Sequence, residues 1–280
     1  MIRKSDERRL LYKHSKNPIL IFLSVFLVSA IIISSAQLLA MRRNEKTHVD
    51  AVEHLAAETT KHSPPTPDEP LPEEKPVTLI NADFGTLRDV NPDIKGWIRI
   101  DGTSIDFPVL QSGDNQSYLY RSFDGGYSQS GSIFFDYRVS PANSKILLMY
   151  GHNMGWGKTI MFSELINYTD KSWCEEHPEI QFAWDDGTAN GRENTWTVFA
   201  VCAVNTAYAE NRTDFFSMDF GTVKEYESYI DALTAHSLYS IDTGRKGYPE
   251  RVIALATCLK PGRNSPERLV IYAGQSSKEE

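Results

Sequence analysis

The chain has 280 residues, enough for one large domain or two small ones. Its 29 Lys and Arg against 37 Asp and Glu give a formal charge of −8, with no long basic tract beyond the N-terminus, which argues against nucleic acid as a partner. Three cysteines make no disulfide scaffold, and their odd number leaves at least one thiol unpaired within the chain.

The N-terminal segment, residues 1–18, carries Arg3, Lys4, Arg8, Arg9, Lys13 and Lys16 against Asp6 and Glu7. Residues 19–41 then run without a charge, dominated by Ile, Leu, Val, Phe and Ala. That length crosses a hydrocarbon core of about 30 Å as a helix. The heavier positive flank argues for an N-terminus in the cytoplasm and a body outside. A cleaved signal peptide is the competing reading, but its apolar core spans about 7–15 residues, so the length favours an uncleaved, single-pass signal anchor.

Residues 42–76 form the next segment. Within it, 44–60 has helical composition and predicts a short juxtamembrane helix. The stretch 61–76, KHSPPTPDEPLPEEKP, predicts an extended polyproline-like spacer rising about 3.1 Å per residue. Such a spacer holds a body away from a bilayer.

The body, residues 77–280, reads as mainly β. DFGTLRDVN (83–91) predicts a short helix, and IDGTS within GWIRIDGTSIDFPVLQ predicts a hairpin turn between two strands. GSIFFDYR, KILLMYGH, EIQFAWDDG, TWTVFAVCAVN, RVIALATC and RLVIYAG supply further strand-like runs. MFSELINY reads as a short helix. Residues 222–238 read as a longer one, with Val223, Tyr226, Ile230 and Leu233 on its apolar face. Many short strands with few helices suggest a closed or nearly closed barrel with helical insertions.

Metal chemistry finds little support. CEEH sets Cys174 and His177 three residues apart, but no second Cys/His pair at ligand spacing follows, so helix packing explains the pair better. The absence of CxxC argues against thiol–disulfide exchange, and no phosphate-cradling glycine loop follows a strand. No metal or cofactor is expected.

Two other segments carry chemistry. In LLMYGHNMGWGKTIMF an apolar run reads as a buried strand, and His152 follows it in a glycine-rich loop, where a side chain can point into a cleft. In ALATCLKPGRNSPERLVIYAG, Cys258 ends one β-like run and Arg268 opens the next. Alone, Cys258 reads as a structural residue. A thiol of reference pKa near 8.5 is mostly protonated at neutral pH. A neighbouring imidazole can take its proton or stabilise the thiolate, then protonate a leaving amine. An arginine can stabilise the oxyanion of a tetrahedral intermediate. Cys258, His152 and Arg268 together suffice for thioester chemistry.

At these residues the chain resembles a class B sortase across nearly the whole body. TCLKPGRNSPER resembles the family's cysteine–arginine signature, and YGHNM followed by MFSELINY resembles its histidine segment. NPDIKGWIRIDGTSIDFPVLQSGDNQSYL and GSIFFDYR resemble its N-terminal half, and the helix at 222–238 resembles the helical connection typical of class B. The resemblance implies an eight-stranded sortase β-barrel with N-terminal helices and a helix in the connection before the cysteine strand. It further implies an enzyme on the outer face of a Gram-positive membrane that cuts a C-terminal sorting motif of secreted proteins, typically of the NP-x-T-N or SP/PP-x-T-G kind. Cys258 would attack the Thr carbonyl to form a thioester, His152 would be general acid/base, and Arg268 would bind substrate and stabilise the oxyanion. An amine of peptidoglycan or its lipid-linked precursor would resolve the thioester.

By the same resemblance Asn115 and Leu119 of DNQSYL, Tyr208 of NTAY, and Thr257 and Leu259 beside the cysteine become substrate-binding candidates. The chain departs from the family at Ala256 and Leu259, where members often carry Ser and an acidic residue. A pilin-polymerising sortase is the runner-up, although no DPW- or DPF-like lid segment precedes the barrel. A catalytically silent, membrane-tethered β-barrel binding module is the alternative from another class.

Overall fold

The computed structural model describes residues 18–59, 80–155, 157–188, 191–207, 215–261 and 265–275. The proline-rich stretch 61–76 and Tyr208 lie outside the described residues. Contacts divide the chain into two units, residues 1–47 and 48–280. The described part of the first unit belongs to helix α1, Pro18–Thr59. Its apolar side chains, among them Phe22, Phe26 and Ile32, are exposed. This helix is long and apolar enough to cross a membrane.

The helix expected over 44–60 is therefore not a separate element but the C-terminal part of α1. From His48 onward it belongs to the second unit and buries His48, Val52, Leu55, Ala56 and Thr59. These residues recur at the three- and four-residue spacing of one helix face.

The second unit is built on a closed eight-stranded barrel with strand order β1-β2-β3-β4-β7-β8-β6-β5. Strands β1 (Ile94–Arg99) and β2 (Asp106–Leu110) form the expected hairpin, turning at Gly102 with φ +78°. Strand β3 (Ile133–Phe135) runs parallel to β2, and β4 (Ile146–Tyr150) antiparallel to β3. Strands β5 (Glu179–Trp184) and β6 (Arg192–Asn205) pair with each other, and β5 closes the barrel on β1. Strand β7 (Val252–Cys258) lies between β4 and β8 (Glu267–Gln275), parallel to the former and antiparallel to the latter.

Side-chain alternation separates the two faces of the wall. Phe135 of β3 meets Phe182 of β5 edge to face at 5.8 Å, although two strands separate them around the sheet. Both rings therefore occupy the barrel interior. Phe134 and its partner Tyr150 then face outward, and so does Ala256, the register partner of Tyr150 on β7.

The connecting helices start on polar caps that satisfy otherwise orphaned backbone N–H groups. Helix α2 (Phe84–Val90) is capped by Asp83, α3 (Lys171–Glu176) by Asp170 and α4 (Val223–Ala235) by Thr222. Helix α4 fills the connection between β6 and β7, burying Tyr226, Tyr229, Ile230 and Leu233. Val223, expected on that face, is 74% exposed because it is the first helical residue, before the packed turns begin. The segment expected as a short helix at 161–168 is a 3-10 helix, Ser163–Thr169.

Candidate active site

The strand order β4-β7-β8 brings together residues far apart in sequence. Cys258 closes β7, and its register partner on β8 is Arg268. Leu259 N–H bonds Glu267 O and Gln275 N–H bonds Arg251 O, each at 3.0 Å, so the hydrogen-bonded pairs of this ladder fall on odd-numbered β7 positions. Cys258 and Arg268 therefore form a non-hydrogen-bonded pair, side chains on one face and Cα atoms roughly 4.5 Å apart. On the other flank, Tyr150 is level with Ala256, and Gly151 N–H continues the ladder to Ala256 O at 3.2 Å. Strand β4 ends at Tyr150, and His152 follows two residues later in the loop that leaves it. His152, Cys258 and Arg268 all line one outward-facing cleft of about 520 Å³.

The loop after β4 is held by close packing and by hydrogen bonds. A Cβ on Gly151 would stand 2.6 Å from the Phe162 ring, so the chain passes there only as glycine. His152 O accepts from Phe162 N–H at 3.1 Å, and its Nε2 lies 2.9 Å from Leu119 O. A carbonyl only accepts, so Nε2 carries the hydrogen of that bond. The Tyr120 ring tilts against the imidazole at 5.7 Å.

The Leu119 carbonyl is itself fixed by the DNQSYL segment. Asp114 accepts from Gln116 N–H at 2.8 Å and Ser117 N–H at 2.7 Å, which starts the 3-10 helix Ser117–Leu119. Those bonds, Gln116 first, hold the Asp114 carboxyl below the usual carboxylate range. Arg268 donates through Nη1 to Ser265 O at 2.5 Å and Glu267 O at 3.1 Å, anchoring the guanidinium at the strand's start.

The three thiols differ in environment, and all are free. Burial pushes the Cys202 thiol up to about 12 and raises that of Cys174, which sits among packed side chains. Cys258 alone among them borders the cleft and is partly accessible. The His177 ring stacks on Trp173 at 4.2 Å and bonds its carbonyl, while Cys174 is buried, so both serve helix packing.

Of the expected substrate-binding residues, Asn115 and Leu119 line the cleft. Thr257 borders it too, but its hydroxyl donates to Gly151 O at 2.8 Å and ties β7 to the histidine loop. Leu259 packs against the core and is not among the cleft-lining residues. Sequence reasoning missed Asn153, which is 7% exposed and donates through Nδ2 to Cys258 O at 2.9 Å. Its only sequence signal is its place directly after His152.

The family described as Sortase domain matches residues 98–276. A protein named Sortase B from Listeria monocytogenes is 33% identical over 182 residues, 64% of this chain and 68% of that protein. Among solved structures, a Staphylococcus aureus sortase B–substrate complex superposes with TM-score 0.59 at 28% identity, covering 70% of this chain and 85% of that one. Clostridium perfringens sortase B matches with TM-score 0.59 at 27% identity, covering 69% and 100% of the two chains.

Proposed function

From the premise that this chain belongs to the sortase family, in its class B branch, and is a cysteine transpeptidase, we propose that Cys258 is the nucleophile, His152 the general acid/base and Arg268 the oxyanion and substrate partner. The observation that carries this reading is one cleft bordered by all three side chains, with Cys258 and Arg268 as register partners on β7 and β8 and His152 in the loop that follows β4.

The chemistry follows from those positions. The Cys258 thiolate attacks the carbonyl carbon of Thr in a C-terminal sorting motif, forming a C–S bond and an oxyanion that Arg268 stabilises. His152 gives a proton to the departing amide nitrogen, and the C–N bond breaks to leave a thioester. An amine of peptidoglycan or of its lipid-linked precursor then attacks the thioester, loses a proton to His152 and releases Cys258. Peptide bond energy is kept in the thioester, so the exchange needs no nucleotide. Cutting between two extracellular partners suits a membrane anchor with the N-terminus in the cytoplasm, and α1 is compatible with that anchor by length and composition. Asn115 and Leu119 contact the incoming peptide on this reading.

The test incubates the full-length protein with quenched peptides carrying NP-x-T-N or SP/PP-x-T-G motifs, beside Cys258→Ala. Wild type is expected to cleave at least one peptide after Thr, and the variant none. A thiol-reactive sulfonate should modify Cys258 well before Cys174 or Cys202. No cleavage by wild type, with Cys174 or Cys202 labelled first, defeats the assignment.

A further inference from the structure

Asp136, just past the end of β3, has no part in the chemistry above, yet it is fully buried beneath the cleft. Five hydrogen bonds converge on its carboxylate. Oδ1 accepts from Arg138 N–H at 3.0 Å and Arg138 Nε at 2.8 Å. Oδ2 accepts from Arg138 Nη2 at 2.9 Å, Asn115 Nδ2 at 2.9 Å and the Tyr150 hydroxyl at 3.0 Å. Burial works against the charge, but Arg138 across both oxygens, with Asn115 and Tyr150, holds the carboxyl below its ordinary range.

Asn115 and Tyr150 both line the cleft, so what they present to a ligand depends on what Asp136 takes from them. An ionised carboxylate only accepts. The Tyr150 hydroxyl must therefore spend its hydrogen inward, and its oxygen can meet a ligand only as an acceptor. Asn115 donates one Nδ2–H to Asp136 while its Oδ1 accepts from Tyr137 N–H at 2.9 Å. A flipped amide would set Oδ1 against the carboxylate and Nδ2 against an N–H, so the amide is fixed with its second N–H as the remaining donor. Asp136 thus fixes which way the Asn115 amide and the Tyr150 hydroxyl are turned on the cleft wall, where an extended peptide would meet them with its alternating C=O and N–H groups.

We infer that Asp136 is a positioning residue that sets the hydrogen-bonding polarity of the Asn115–Tyr150 wall toward the sorting peptide; the inference rests on the functional reading above. It acts through its two neighbours and touches neither peptide nor thiol.

The test compares full-length wild type, Asp136→Asn, Asn115→Ala, Tyr150→Phe, the Asn115→Ala/Tyr150→Phe double variant and the triple variant that adds Asp136→Asn to it, using the quenched peptide that wild type cleaves best and a small methanethiosulfonate on Cys258. Asp136→Asn keeps the shape but replaces one acceptor oxygen with a donor. It is expected to raise KM about tenfold or more with kcat within about threefold, and to leave the Cys258 labelling rate and its pH profile unchanged. In the background lacking both the Asn115 amide and the Tyr150 hydroxyl, the same substitution should add less than about twofold, because coupled residues are not additive. If Asp136→Asn fails to fold, Arg138→Gln at a half-exposed position loosens the same carboxylate and should raise KM about threefold. An unchanged KM, an effect undiminished in that background, or an altered labelling profile overturns the inference while the functional reading stands. A wild-type protein that cleaves no peptide removes the functional reading, and this inference with it.

Discussion

Replacing Asn153 by alanine tests whether the histidine loop is fastened to the cysteine strand, independently of any assignment of catalytic roles. Asn153 is 7% exposed, donates to Cys258 O at 2.9 Å and accepts from Gly155 N–H at 2.9 Å. Each bond contributes about 1 kcal/mol net, and a carbonyl left unsatisfied in a closed environment adds a penalty of about 1–3 kcal/mol. The expected loss is about 3 kcal/mol, which for a domain of this size lowers the melting temperature by about 6–12 °C. Because the same side chain sets the loop against Cys258, a displacement of order 1 Å should also cost about 100-fold in kcat/KM. Asn153→Asp sharpens the test. It is nearly isosteric and keeps the acceptor for Gly155 N–H, but it turns a carboxylate oxygen toward the Cys258 carbonyl, so it should be at least as damaging as alanine. Thermal melting by circular dichroism and cleavage of a quenched peptide read the two effects. If Asn153→Asp melts within about 2 °C of wild type, the bond to Cys258 O does not fasten the loop and the reasoning fails.

Two further substitutions probe charge. Arg268→Lys keeps the positive charge but loses the planar fork, and kcat/KM should fall about 100-fold or more because losing one oxyanion donor costs that much; near-normal turnover removes Arg268 from its role. His48, buried on the barrel and stacked on Phe123 at 5.9 Å, has its pKa lowered by burial, with the Gly131 carbonyl and Asp124 opposing. The folded state therefore favours neutral His48. As pH falls below about 6.5 the unfolded chain takes up the proton first, and stability drops until the folded pKa is passed. His48→Phe keeps the stack and abolishes that titration, so the wild-type melting temperature should fall relative to the variant between pH 7.5 and 5. Parallel melting curves across that range would exclude the mechanism.

What could be read from the chain, and what could not, divides by the range of the interaction. The strands were legible because each apolar run ends at turn residues, and the Cys258–Arg268 pair because a short loop between antiparallel strands sets their residues opposite by local symmetry. His152 beside Cys258 was not legible in that way. It depends on parallel pairing of β4 with β7 across more than a hundred residues, with α4 and two strands in between. Thioester chemistry suggested the pairing, since a thiol needs a base, but no spacing rule supplied it. The Val52, Leu55, Ala56 and Thr59 stripe was present in the sequence, and reading 44–60 by helical composition alone passed over the face it offers to the barrel. Val223 failed in the opposite sense, its periodicity being sound while its place in the first turn left nothing to pack against. Polar residues are hardest, because their roles are set by partners that hydrophobic pattern does not specify. In FFDYR and GHN, Asp136 and Asn153 look like loop residues beside a strand, yet one ends buried on a partner as distant as Asn115 and the other on the cleft wall, bonded to Cys258. The cleft's apolar frame follows from patterning, whereas its polarity follows from a few buried hydrogen bonds, and it is there that substitutions between relatives should redirect specificity without disturbing the barrel.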